Sequence, residues 1–114
     1  MPYSIVVSET VGERGRSVVR AEIAEGDLVV RGEDTGAQVE SWFGSSAYEY
    51  GLVVKSEDIS KLLSVLEVSS SQLPDLPHIL KRRFDDGLHG SFDDLRRWLK
   101  SKRIPSEFWS HIED

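Results

Sequence analysis

The apolar residues of this chain change period at Lys55, and that change restricts the folds open to it. Before Lys55 they alternate: Val19, Ala21 and Ile23 oppose Arg20 and Glu22, and Tyr48, Tyr50, Leu52 and Val54 oppose Glu49, Gly51 and Val53. A period of two sets one face of a strand against a core, with the tyrosine hydroxyls reaching the sheet edge. After Lys55, Ile59, Leu62, Leu63 and Leu66 recur at helical spacing behind Ser56 as N-cap, with Glu57 and Asp58 in the first turn. Such a chain folds as α+β, with the helices segregated from the strands.

The remaining segments fill in this outline. Tyr3 to Val11 is β-branched, "GERGR" supplies a turn, and "EGD" at Glu25 to Asp27 joins the second strand to Leu28–Arg31. Between Glu33 and Ser46 the alternation lapses. There "TGAQVESWFG" is either a short helical turn with Val39, Trp42 and Phe43 inward or an irregular crossover. "VSSSQLPDLP" ends the first helix, and its serine run, Ser69 to Ser71, is expected to be a flexible connection. Asp75 is placed to cap a second helix with Pro77 in its first turn, burying Leu76, Ile79, Leu80 and Phe84 before Gly87. Ser91 and Asp94 have capping-box spacing for a third helix carrying Leu95, Trp98 and Leu99, which Pro105 stops. Ser106 to Ile112 is expected to be a final short turn with Phe108 and Trp109. The expectation is one domain over residues 1–114, strand-rich in 1–55 and helical in 56–114. It has an antiparallel sheet of about four strands and three or four helices packed on one face.

Charge is divided unevenly. Of a net −6, residues 1–58 carry eleven acidic and five basic side chains, whereas residues 59–114 carry nine of each. A field of that sign repels phosphate backbones and attracts cationic surfaces, so the partner it fits is a basic protein and not a nucleic acid. The acids and aromatics coincide in "RGEDTGAQVESWFGSSAYEYGLVV". Glu33, Asp34 and Glu40 are expected at the rim of the sheet in or near the crossover, with Trp42 beside them, and Glu49 on the outward face with Glu22. These acids make either a solvated face or an anionic docking platform.

Catalytic and cofactor signatures are sparse. His78, His89 and His111 lie on separate elements, without the i, i+4 spacing of a helical metal site. His89 in "DDGLHGSFDD" admits an acid–base reading with Asp85 or Asp86, as in a small hydrolase or RNase-like enzyme, against that of an exposed inter-helix loop. No glycine pattern fits a nucleotide cradle, so no cofactor is expected. Lys81, Arg82, Arg83 and then Arg96, Arg97, Lys100, Lys102 and Arg103 cluster around Trp98. Trp98 shares the inward stripe, however, and the bases flank it in C-terminal turns that favour positive charge. With no cysteine, no basic leader segment in "MPYSIVVSETV" and no apolar run of about 20 residues, a cytoplasmic protein without a membrane partner is expected. Nothing in the chain signals an oligomeric state.

The order "GEDTGAQVESWFGSSAYEYGLVV", "SEDISKLLSVL" and "FDDLRRWLKSKRIPSEFW" resembles small acidic immunity proteins of bacterial polymorphic-toxin and contact-dependent growth-inhibition systems. The resemblance implies a non-enzymatic protein that binds and neutralises a cognate toxin domain, often a basic nuclease. That family offers no fixed functional residues, so the contacts Glu33, Asp34, Glu40, Trp42 and Glu49 rest on charge alone. A non-catalytic regulatory domain is the other binding reading.

Overall fold

A computed structural model describes residues 4–13, 15–36, 47–86 and 92–113. The elements run β1 (Ile5–Gly12), β2 (Gly15–Ala24), β3 (Asp27–Thr35), β4 (Ala47–Val54), α1 (Ser56–Leu66), a 3₁₀ helix (Ser70–Asp75), α2 (Leu76–Asp86), α3 (Phe92–Ser101) and β5 (Glu107–Glu113). The five strands form one antiparallel sheet in the order β1-β2-β3-β4-β5. The chain is therefore α+β, with three α-helices among the described residues between the fourth strand and the last.

One face of the sheet forms the core. Val7, Val19, Ala21, Leu28, Val30, Tyr50, Leu52 and Val54 cluster with Ile59, Leu62, Leu63 and Leu66 of α1, Leu76, Ile79 and Leu80 of α2, and Phe92, Leu95 and Leu99 of α3. Every apolar position assigned to α1 is buried, as are those of α2 among the described residues, and Trp98 packs partly against the same core. The β2–β3 turn follows the "EGD" expectation. Glu25 and Gly26 both take positive φ, 54° and 84°, which gives the primed twist that a tight hairpin needs.

Four boundaries differ from expectation. Ser106 to Ile112 is not a closing turn: residues 107–113 return to the sheet as β5, pairing along β4 from Val53↔Glu107 to Ala47↔Glu113. The sheet therefore has five strands among the described residues, and residues 56–114 are not wholly helical. The third strand runs to Thr35, so Glu33 and Asp34 belong to β3 and not to a crossover loop, because Val18↔Glu33 and Ser17↔Asp34 continue its register with β2. Lys55, not Ser56, is the N-cap of α1, and the Ser56 amide donates to Asp27 Oδ1 at 2.7 Å. The serine run is part of a 3₁₀ helix and its N-cap. Ser69 and Gln72 form a capping box opening the 3₁₀ helix, which continues into α2 at Leu76, so Asp75 closes one helix and does not cap the next. Gly87, Ser91 and the segment with Val39 and Phe43 lie outside the described residues.

Candidate functional site

Strand alternation and register order the outer face, opposite the helices, into cross-sheet rows. The first, from β1 to β5, is Glu9, Val18, Glu33, Glu49, His111. The second is Val6, Arg20, Arg31, Gly51, Trp109. The third, starting at β2, is Glu22, Val29, Val53, Glu107. An arginine row thus lies between two rows that carry glutamates.

Like charges sit directly opposite one another in two places, Glu33 against Glu49 and Arg20 against Arg31. Cross-strand pairs of one sign are destabilising. Compensation within the face is partial: Arg31 reaches Glu22 at 3.7 Å and Arg16 holds Glu9 at 2.6 Å. Among the described residues Glu33, Glu49 and Arg20 form no ion pair.

Trp109 completes the face. Its ring lies over Gly51, where a Cβ would overlap it, and it remains 37% exposed. With Val18, Arg20, Arg31, Glu33 and Glu49 it lines a shallow groove of about 220 Å³. That is smaller than the roughly 300–1,000 Å³ of small-molecule pockets, so the groove fits side chains of a partner better than a free metabolite. Val18, though only 5% exposed, stands outside the main core and is covered by its outer-face neighbours.

Asp34 points the other way. On the inner face its Oδ1 accepts from the Tyr50 hydroxyl at 2.6 Å and from Ser17 Oγ at 2.7 Å. Burial, and then the hydrogen bond to Asp34, hold the Tyr50 phenol well above its usual range, so it is a neutral donor at physiological pH. The Tyr50 ring packs edge-on against Phe92 at 4.7 Å, and it takes the space left by Gly32, where a Cβ would overlap it. This is a structural network beneath the face.

Of the five residues expected to contact a partner, the structure therefore joins Glu33 and Glu49 on one open face and turns Asp34 inward. Glu40 and Trp42 lie outside the described residues. Trp109, Arg20 and Arg31 were not among the expected contacts. The alternation of Glu107, Trp109 and His111 was the available signal, hidden because the segment was taken for a turn.

The basic helices make a different surface. Arg96 and Arg97 pair at i, i+3 with Asp93 (3.9 Å) and Asp94 (3.4 Å), and the Arg96 guanidinium stacks 3.7 Å from the centre of the Phe108 ring. An open cleft of about 600 Å³ lies beside them, lined also by Lys100 and Ile104. His89 lies outside the described residues, and of Asp85 and Asp86 only the backbone is described. His78 is on α2 and His111 on the outer face, and no group of three metal-ligating side chains occurs among the described residues. No described helix is long and apolar enough to cross a membrane. Comparison with known protein families, curated proteins and solved structures finds no match.

Proposed function

We propose that this protein is a non-enzymatic binding module of the toxin-immunity kind, which captures and neutralises a basic toxin domain, such as a nuclease, in the cytoplasm. The observation that carries the proposal is the outer face, where the Glu33–Glu49 couple, without an ion pair among the described residues, stands beside the partly exposed Trp109. Two carboxylates opposite each other cost stability in the free protein, and a cation arriving between them removes that cost. Trp and Arg are the residue types that dominate protein interfaces when a partner covers them, so Trp109 is the anchor and the acids set encounter and register. The excess of acid in the first half favours a basic protein over a nucleic acid as the partner.

Co-expression with toxin domains encoded beside the gene tests this. The expected result is co-purification of one such domain and rescue of growth from its toxicity, with association slowing as salt screens charges beyond about 8 Å. Absence of both capture and protection across the adjacent reading frames would remove the immunity reading. Catalytic turnover by the purified protein would remove the non-enzymatic one.

A further inference from the structure

The sheet is open, and its two edges are built differently. At the β1 edge the register with β2 shifts between Val6 and Ser8, a bulge of the kind that turns an edge away from further pairing. At the other edge β5 pairs with β4 without a break over Glu107–Glu113, and that span holds no proline, lysine or bulge. Its aromatics flank the edge on both sides: Phe108, 44% exposed, faces the helices, and Trp109, 37% exposed, faces outward. A straight edge that pairs with no further strand among the described residues, with apolar rings above and below, is a template for another strand.

We propose that the strand it takes is β5 of a second copy, antiparallel about a twofold axis normal to the sheet and passing through Trp109, giving a continuous ten-stranded sheet. Register selects the axis. For both copies to keep their helices on one side of the joined sheet, facing residues must belong to the same face, so the axis passes through a residue and not between two. An axis through Ser110 brings the register positions of two acidic residues, Glu107 and Glu113, opposite each other at both ends. An axis through Trp109 sets Glu107 against His111 at both ends, Phe108 against Ser110, and Trp109 against its own copy at the centre. Only the second register sets no acidic residue opposite another. The pairing runs in the plane of the sheet and leaves Glu33 and Glu49 open; it shares Trp109 with the docking groove, so self-association is read on the chain alone, without a toxin domain, and its failure leaves the docking reading standing.

Sedimentation velocity on the full chain over a dilution series tests the proposal. A paired strand of this length buries less than a standard interface, so dissociation in the micromolar range is expected, about 10–100 μM. His111→Glu places two carboxylates at each end of the pairing and is expected to weaken the dimer about tenfold, and Glu107→Lys added to it is expected to restore the parental affinity. His111→Glu also meets Glu49 on β4. For that reason His111→Lys, which relieves that neighbour, is measured alongside and is expected to tighten the dimer several-fold. Hydrogen exchange of the β5 amides should slow as concentration rises. A chain that stays monomeric at about 500 μM, well above that dissociation range, overturns the proposal. A dimer indifferent to all three variants does so too, because it would then be held through another surface.

Discussion

Tyr50 shows at the scale of one residue how the fold is held together beneath the candidate site. Its ring fills the core between Gly32 and Phe92, and its hydroxyl is brought to Asp34 Oδ1, where Ser17 also donates. Removing the hydroxyl with Tyr50→Phe keeps the ring but takes a donor from a half-buried carboxylate that retains Ser17. A loss of about 1–2 kcal/mol at neutral pH is expected in urea unfolding. The alkaline limb carries a further signature. The folded-state phenol titrates above the unfolded value of 10.0, so the folded state holds its proton longer. Stability from this group is then complete below about pH 10 and is lost as pH rises past that value toward the folded-state pKa. The Tyr50→Phe protein should lose less stability between about pH 10 and 11.5 than the parent. Equal alkaline losses would mean that the network does not discriminate the protonation states of the phenol.

At the scale of elements, the sequence pattern was most informative where one period ran uninterrupted and least where a neighbour supplied what the segment lacked. The core faces of α1, β2 and β4 follow from alternation and helical spacing, since Leu62, Ala21 and Leu52 have no stable alternative to burial. The end of β3 was missed because its inward positions are Gly32 and Asp34, one leaving room for a ring and the other bonded to it. Neither is apolar, so periodicity could not mark them. β5 was missed because Phe108, Trp109 and Ile112 also fit one turn of helix, and the free edge of β4 that recruits the strand is a tertiary fact. The cap of α1 belongs to the same class. Lys55 provides no side-chain cap, and Asp27 reaches the first amide from the β2–β3 turn. Asp27→Ala should therefore cost about 1 kcal/mol, comparable to losing a local N-cap although the residue lies far away in sequence. Thermal unfolding measures it, and an unchanged midpoint would assign the Ser56 amide to solvent.

Across the whole molecule, the net charge of −6 describes the outer face poorly, because the face is banded: arginines run between glutamate rows, and like charges stand opposite one another where exchange of one residue would create a stabilising pair. Glu33 opposite Glu49 costs the free protein stability that one charge reversal would return. That gives the docking proposal a two-sided test in a single substitution. Glu33→Lys turns the couple into a cross-strand ion pair, so the free protein should gain about 0.2–1 kcal/mol in denaturant unfolding. The same change puts a cation where the basic partner is to dock, so association with the co-purified toxin domain should slow about tenfold at low salt. The parent and variant rates should converge at high salt, where screening removes the difference. Trp109→Ala should act on the other rate: an anchor lost from the groove accelerates dissociation by roughly tenfold or more while leaving the salt dependence of association intact. If Glu33→Lys stabilises the protein and capture proceeds at the parental rate, the couple is not held for docking and the interface lies off this face. If it destabilises the protein, Glu33 and Glu49 are not the opposed pair that the β3–β4 register makes them, and the banded face loses its basis.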